Sequence, residues 1–280
     1  MKNNTTGVPS TTEYMLGRGK IKVAEITSGV ATAYYALGNA TEFNITPEIE
    51  DLEHYSTQTG AKTLDYTVLL SSKASLSLTI ENINQRNMKW FLMGEQTAYT
   101  NPTVAGITDI AIVAAGDIVL GTYVNLTKAD GSRCYDIDAS KLTVKTTTSP
   151  TPVELAKDTD YSVSAVEGQI FLLSTSTKLA TAIAATEGLT ATLTADTTCI
   201  ASMYKVDAFT ANDRKFKVQF IADDPKDNSK TEYLFFSVAL RPNGDYSLIG
   251  DEFKTLAFTG KAEVPDGETS ICDVTAIAEV

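Results

Sequence analysis

The alternation of apolar and polar residues in the first third of the chain predicts two strands followed by a helix. Apolar side chains recur at every second position over Leu64–Leu70 and again over Leu76–Ile80, and the polar stretch Ser71–Lys73 separates them. This pattern is typical of a β-hairpin with one buried face. From Asn84, which can cap a helix, the apolar spacing becomes helical and ends near Gly94. We therefore expect a short amphipathic helix of about ten residues that covers one side of a β-sheet.

Shorter strand patterns lie on the N-terminal side of this hairpin. Ile21–Ile26 and Phe43–Ile45 show strand-type alternation, and a polar connection, Glu53–Lys62, then leads into the hairpin. The connection contains one glycine, Gly60, and joins two strand-like runs. We interpret it as a projecting hairpin or loop, a segment that either is inert or contacts a partner.

The middle of the chain differs in composition from both ends. Residues 100–116 carry Asn101-Pro102 and many small side chains, which predicts a linker. Beyond it, short alternating segments are separated by turn signals such as Asp130-Gly131 and Glu167-Gly168. The alternating pairs are Ile118 and Leu120, Leu142 and Val144, Val153 and Leu155, Tyr161 and Val163, Ile170 and Leu172, and Leu189 and Leu193. This pattern predicts a small β-sandwich of about a hundred residues.

Aromatic-rich strands return near the C-terminus. Phe216–Phe220 and Tyr233–Leu240 have strand character, and Pro265–Gly267 marks the turn of a last hairpin. Because this composition matches the first hundred residues, we predict that the middle region interrupts one β domain. The expected segments are a flexible N-terminal arm (1–12), the first part of the domain (13–103), an inserted β-sandwich (104–199) and the second part (200–280). The fold class is therefore expected to be mainly β.

The charge of the chain argues against one broad class of function. Among 280 residues, Lys and Arg total 23 and Asp and Glu total 35, so the formal net charge is -12. A protein that grips nucleic acid needs a basic surface that neutralises phosphates. We therefore expect no tight binding of nucleic acid, although an acidic surface is compatible with nucleic acid passing close by. The hydrophobic fraction of 43% indicates a folded globular protein.

Cysteine usage and the polar N-terminus predict a reduced, non-membrane setting. Cys134, Cys199 and Cys272 are far apart and odd in number, which favours a cytosolic folding compartment over a disulfide framework. Met1–Thr12 is polar and lacks the apolar core of a signal peptide, and no run of about 18 apolar residues occurs. We therefore expect neither secretion through a signal peptide nor membrane insertion.

No motif in the sequence predicts catalysis or metal binding. His54 is the single histidine, which excludes zinc sites with two or more histidines and leaves one position for a Ser-His-Asp or Cys-His arrangement. Gly17–Lys20 lacks the spacing of a phosphate-binding loop. Neither Asp136–Asp138 nor Asp158–Asp160 continues into a calcium-binding loop. We expect His54 to be a loop or interface residue, and we expect no catalytic residue, metal ligand or cofactor.

Segments at both ends of the chain form an arrangement found in one known family. They are Tyr14–Lys20, Leu37–Asn39, the acidic segment Glu48–Glu53 with its loop through Gly60, Ser75–Asn82, Phe91–Gly94, Val238–Gly244 and Leu248–Asp251. Together they resemble the tail tube (major tail) proteins of long-tailed bacteriophages. The resemblance covers residues 13–95 and 200–275. The middle segment resembles the immunoglobulin-like insertions of such proteins, and that likeness is weaker.

The resemblance implies a tail-tube-type β-sandwich or barrel with one short flanking α-helix, plus an inserted immunoglobulin-like domain. Members of this family form hexameric rings that stack into a tube through which viral DNA leaves. The implied role is thus that of a structural virion protein, located in the phage tail and assembled in the bacterial host cytoplasm. The implied partners are further copies of the chain and the tape-measure, tail-terminator and distal tail proteins. Viral DNA would pass without specific binding, and no membrane is involved.

By analogy with the family, ring-to-ring contacts are expected from the N-terminal arm and the projecting connection. The candidate assembly residues are Tyr14, Arg18, His54, Tyr55, Thr59, Gly60 and Lys62. None of these residues is expected to be catalytic.

A second function class stays open at the level of sequence. The Thr-rich strands also suit a non-enzymatic β module that binds carbohydrate or a host surface. Such a module is expected to carry a signal peptide and a cluster of exposed aromatic residues, and neither is evident in the sequence. A glycosidase or esterase on a β scaffold has no motif in its favour.

Overall fold

The chain forms two compact units. The computed structural model describes residues 17–58, 60–147, 151–225 and 229–277. Residues 1–96 and 206–280 belong to the first unit, and residues 97–205 form the second. The N-terminal arm predicted for residues 1–12 lies outside the described residues. The predicted insertion, 104–199, falls inside the second unit.

Strands account for most of the regular structure, so the protein is mainly β, as the sequence predicts. Before the first helix, α1 (Gln85–Phe91), the strands are β1 (Gly19–Thr27), β2 (Val30–Ala31), β3 (Tyr35–Ala36), β4 (Ala40–Ser56) and β5 (Thr63–Ile80). The next elements are β6 (Glu95–Thr100), β7 (Ile107–Val113), β8 (Tyr123–Asn125), β9 (Leu142–Thr146), β10 (Tyr161–Ser164), β11 (Gln169–Leu172), α2 (Thr177–Ala184) and β12 (Leu189–Leu193). The last are β13 (Ser202–Asp207), which pairs with β6, and β14 (Lys215–Asp223), β15 (Lys230–Pro242), β16 (Leu256–Glu263) and β17 (Cys272–Ile277).

One nine-stranded antiparallel sheet organises the first unit. Its main path runs β2-β1-β14-β15-β16-β5-β4, with β3 paired to β1 and β17 paired to β15. Strand β15 is long enough to hold two neighbours on the same side, because β17 pairs with its residues 230–235 and β16 with its residues 237–242. The two ends of the path are therefore β1 with its short partners and β4.

The sheet curves so strongly that distant strands share one core. Phe43 of β4 contacts Phe220 of β14, with ring centroids 5.2 Å apart, although three strands separate β4 from β14 in the sheet. The ring of Phe43 also lies 6.4 Å from that of Phe235 on β15. The core between them is apolar and buried, and it includes Val23, Leu76, Leu78, Ile80, Phe216, Val218, Phe235, Val238, Leu256 and Phe258.

Helix α1 closes one side of this core. Its cap is Asn84, as predicted, and the Asn84 side chain accepts a hydrogen bond from the Asn87 N–H at 2.9 Å. Trp90 packs against Phe216 with ring centroids 5.3 Å apart, and Phe91 packs against Phe258 at 5.8 Å. The expected amphipathic helix is thus present, with seven residues.

The end of α1 differs from the prediction in one detail. Met93 has a φ of +45°, so it occupies the left-handed position, while the Gly94 N–H donates to the Lys89 carbonyl at 2.9 Å. Glycine is needed at position 94 for another reason, because a Cβ there would collide with the carbonyl oxygen of Asp207.

The predicted hairpin with a turn at Ser71–Lys73 is wrong. These residues lie inside the continuous strand β5 and face Glu48, Ile49 and Glu50 of β4. The chain reverses instead between Ser56 and Thr63. Serine and lysine suit a solvated strand face as well as a turn, so their composition alone did not fix a reversal. The predicted buried face is also wrong for Leu64–Leu70, whose large apolar side chains are exposed.

The second unit contains two three-stranded sheets, in the orders β10-β11-β8 and β7-β12-β9. Both sheets contribute to one buried core, in which Val144, Ile170 and Leu189 lie beside Leu179 of α2. An immunoglobulin-like fold is not confirmed for this unit, and helix α2 was not predicted. Ser176 caps that helix, since its side chain accepts from the Leu179 N–H at 3.1 Å.

The linker predicted for residues 100–116 is also wrong. Asn101 is fully buried, and its side-chain oxygen accepts hydrogen bonds from the N–H groups of Thr103 and Tyr135 at 3.2 and 3.1 Å. Strand β7 occupies part of the same stretch. Small residues here allow close packing rather than flexibility.

The packing of α1 predicts a large difference between two Phe-to-Ala substitutions. Phe91→Ala should lower the free energy of unfolding of the first unit by about 3–5 kcal/mol, because it leaves a cavity beside Phe258. The matched control, Phe253→Ala, removes a side chain that is 97% exposed. This control should change the free energy of unfolding by less than about 0.5 kcal/mol. Urea titrations of dilute protein, followed through the fluorescence of the single tryptophan, Trp90, measure both effects. Equal urea midpoints of unfolding for the two variants would contradict the assignment of Phe91 to the core.

Candidate assembly surface

The hairpin of β4 and β5 extends beyond the rest of the sheet. Strand β16 pairs with β5 only over residues 74–80 of β5. Residues 48–56 of β4 and 63–73 of β5 therefore pair only with each other within the described chain, and we call this part the ribbon. At about 3.3 Å per residue, the ribbon is roughly 30 Å long.

Large apolar side chains on the ribbon are exposed to solvent. Leu52 lies directly opposite Val68, and the two are 56% and 40% exposed. Tyr66, opposite His54, is 66% exposed, and Leu69 is 59% exposed. A two-stranded hairpin without a third strand or a covering helix is marginally stable in water. Contiguous exposed apolar side chains of this kind are typical of interaction surfaces.

The same ribbon carries carboxylates along β4. That strand contains Glu42, Glu48, Glu50, Asp51 and Glu53 and has no lysine or arginine. Glu48 accepts a hydrogen bond from the Ser75 hydroxyl at 2.7 Å, and Glu50 accepts one from the Ser71 hydroxyl at 3.0 Å. These contacts occupy one oxygen of each carboxylate and hold the acidic side chains in place.

Near the tip, two polar pairs link neighbouring side chains. His54 Nδ1 lies 2.5 Å from an oxygen of Asp65. The Tyr55 hydroxyl donates to Glu53 at 2.5 Å, and this hydrogen bond raises the pKa of Tyr55. The pairs fix side-chain positions on an element that has no core of its own.

Four of the seven predicted assembly residues come together at the end of the ribbon. His54 and Tyr55 lie on β4, and Gly60 and Lys62 belong to the connection that follows. Arg18 lies elsewhere, directly before β1 at the other end of the sheet path. Tyr14 and Thr59 lie outside the described residues.

The exposure of the ribbon's apolar residues, namely Leu52, Tyr66, Val68 and Leu69, does not follow from the sequence pattern. Alternation around Leu64–Leu70 predicts a buried face instead. The acidic run Glu48–Glu53 was the available signal, because a strand paired with so many carboxylates is a poor candidate for a core.

A second surface of interest is a tyrosine-lined cleft in the second unit. Its lining includes Tyr99, Tyr135 and Tyr204, and its volume is about 690 Å³. The rings of Tyr99 and Tyr135 are 6.2 Å apart, and the Arg133 guanidinium lies 5.2 Å from the centre of the Tyr135 ring. Tyr204 is 55% exposed. The sequence did not reveal this cluster, because its three tyrosines come from segments far apart in the chain.

Polar groups lie at the rim of the same cleft. The Asp130 carboxylate accepts hydrogen bonds from both the hydroxyl and the N–H of Ser132, which lowers the pKa of Asp130. Ser132 and Arg133 also line the cleft. Aromatic faces beside fixed polar groups are the usual composition of a site for a small, partly polar ligand.

Within the described residues, no group of three or more His, Cys, Asp and Glu side chains is placed to hold a metal ion. None of the helices in that part of the chain is both long enough and apolar enough to cross a membrane.

Comparison with known families shows which family the chain matches. The family model described as "Protein of unknown function UCP028589" matches residues 14–267, which include all of the second unit and most of the first. No curated protein matches the chain.

The ribbon should open locally far more often than the core strands do. In dilute protein, peptides that cover residues 48–56 and 63–73 should exchange their amide hydrogens orders of magnitude faster than peptides from β14 and β15, because the ribbon has no apolar core. Hydrogen–deuterium exchange with mass spectrometry measures the difference, and concentrated protein should show the ribbon newly protected. Equal protection of the ribbon and β15 in dilute protein would show that the ribbon needs no partner.

Proposed function

We propose that this chain, which belongs to the family matched above, is a structural subunit that assembles with copies of itself into a tube. The proposed setting is the tail of a bacteriophage, where stacked rings would form the conduit for viral DNA. The subunit itself has no enzymatic role in this proposal. Its further partners would be the tape-measure, tail-terminator and distal tail proteins.

The observation that carries the proposal is the unsupported ribbon. It presents Leu52, Tyr66 and Val68 to solvent on a two-stranded element that no other part of the described chain covers. A neighbouring copy that packs on these side chains would remove them from water and would restrict the opening of the ribbon. Pairing at the free edge of β4 would also satisfy its exposed backbone groups.

A ring or filament requires that the ribbon, which lies at one end of the sheet path, contacts a different surface on the next copy. Such a heterologous contact closes into a ring if the rotation per subunit allows it, and a second contact along the axis then stacks the rings. A net charge of -12 also suits a conduit, because an acidic wall repels DNA and avoids tight binding.

Substitution of ribbon side chains tests the proposal. The double variant Leu52→Ser with Val68→Ser should stay folded and soluble but should form no rings or tubes, because it removes the apolar contact with the next copy. The control, Val119→Ser with Val166→Ser, changes two exposed valines of the second unit, which are 58% and 73% exposed. The control should assemble as the unmodified chain does.

Negative-stain electron microscopy and analytical ultracentrifugation over a range of concentrations give the readout. Circular dichroism checks that both variants keep their strands. If the unmodified chain stays monomeric at every concentration, the proposal is wrong. Normal tubes from the ribbon variant would show that assembly does not depend on Leu52 and Val68.

The tyrosine-lined cleft favours a second candidate function, the binding of a carbohydrate. Aromatic faces such as that of Tyr204 can cover the apolar face of a sugar ring, while Asp130 and Arg133 can bond its hydroxyl groups. This function belongs to the second unit, so it is compatible with a tube subunit that displays a binding module.

Glycan binding by the full chain tests this second candidate. An array of bacterial surface oligosaccharides should reveal binding that Tyr204→Ala weakens about fivefold or more, since packing against an aromatic ring contributes roughly 1–3 kcal/mol. Tyr123→Ala is the control, because Tyr123 is also exposed, at 64%, but does not line the cleft. Absence of glycan binding, or equal effects of the two substitutions, would remove this candidate.

A further inference from the structure

A cationic cleft lies in the first unit of this acidic protein. Arg18, Lys20, Lys22 and Lys230 line it together with Asp223, and its volume is about 530 Å³. It sits where β1 and β15 begin and β14 ends. Its described lining thus holds four cationic side chains and one carboxylate, in a chain whose net charge is -12.

Strand alternation explains why the lysines gather there. Ile21 and Val23 point into the core, so Lys20 and Lys22 share the outer face of β1. Neither lysine forms an ion pair with any carboxylate in the described ranges. Two neighbouring ammonium groups without a carboxylate partner repel each other, and an anionic partner would relieve that repulsion.

The ribbon supplies a surface of the complementary charge. Glu48 and Glu50 lie two residues apart on β4, so they share a strand face. Of the described cations, only Lys73 lies close to either, with its Nζ 3.9 Å from Glu50. The spacing of two carboxylates at alternate positions thus matches the spacing of Lys20 and Lys22 at alternate positions on β1.

The two charged surfaces lie on strands that are far apart in the strand order of one curved sheet. The path begins at β1 with its short partners and ends at β4, so the ribbon is remote in the sheet order from the cleft of its own chain. A surface at one end that fits a different surface at the other end leads to head-to-tail association of identical subunits.

We propose that the cationic cleft is the acceptor for the acidic face of the ribbon from a neighbouring copy, with Lys20 and Lys22 facing Glu48 and Glu50. This proposal rests on the proposed function and names the contact that would join the subunits. Apolar side chains of the ribbon supply the bulk of the buried surface, and the charge pairs set its register and exclude other partners. The contact also offsets part of the repulsion that chains of high like charge exert on each other.

Nucleic acid is the other class of partner that a cluster of lysines suits. The cleft is short, and the remainder of the chain is acidic, so an approaching duplex would meet repulsion over most of its length. A second copy presents its carboxylates on a narrow projecting strand, which avoids that repulsion. The test below separates the two partners.

Charge reversal on each side, and on both, tests the pairing. The variants are Lys20→Glu with Lys22→Glu, Glu48→Lys with Glu50→Lys, and the combination of all four. The control is Lys145→Glu with Lys157→Glu in the second unit, which changes the net charge by the same amount as the first variant. Analytical ultracentrifugation measures the concentration at which assembly begins, and electron microscopy shows the assemblies.

Each single-side variant should raise the assembly concentration at least about tenfold, because like charges would then face each other. The variant with all four substitutions should return the assembly concentration to within about threefold of that of the unmodified chain. The control should leave the assembly concentration unchanged. In the unmodified chain, added salt should raise the assembly concentration, because it screens the charge pairs.

Other outcomes would overturn the proposal in distinguishable ways. Normal assembly of Lys20→Glu with Lys22→Glu would refute the contact and leave the proposed function intact. Failure of the combined variant to recover would show that the two surfaces do not meet. Binding of a duplex DNA oligonucleotide is measured on the same variants, and if Lys20→Glu with Lys22→Glu assembles normally but loses this binding, the cleft is assigned to nucleic acid. If the unmodified chain never assembles, the proposed function is wrong, and the proposed contact, which rests on it, is wrong as well.

Discussion

The structure depends on one constraint, that backbone groups in a β-strand need a partner strand on each side or water. In the centre of the first unit, β14, β15 and β16 each have neighbours on both sides. The ribbon has one neighbour per strand over residues 48–56 and 63–73, and its outer edges remain open within the described chain. Open edges with apolar side chains favour association with another chain. In the proposed assembly, the ribbon would be the element that contacts the next copy.

The same two strands build the core and the projection. In β5, Leu76, Leu78 and Ile80 are at most 1% exposed, because β16 pairs alongside and helix α1 covers the core. A few residues earlier, Leu64–Leu70 keep the same alternation but have no covering layer. The boundary between the two parts falls where the pairing with β16 ends, near Ala74. Substitutions in the exposed part of β5 can thus leave the buried core intact, since the two sets of side chains lie on different parts of one strand.

Charges of opposite sign are concentrated on different strands of the sheet rather than mixed evenly over the surface. Carboxylates line β4 at one end of the sheet path, and Arg18, Lys20 and Lys22 lie at the other. A uniformly acidic subunit would repel its copies from every direction. In the proposed assembly, separation of the two signs would favour one relative orientation of neighbouring subunits and disfavour others, while the chain as a whole stays acidic.

The sequence by itself determined the mainly β fold class, the Asn84 cap, the helix that carries Trp90 and Phe91, and a projecting connection around Gly60. These features depend on neighbours within about ten residues, so local periodicity and capping rules suffice. Only the tertiary structure decided that Leu64–Leu70 are exposed, because period two shows which side chains share a face but not what covers that face. It alone also placed Lys230 beside Lys20, since strands remote in sequence meet only through the register of the folded sheet.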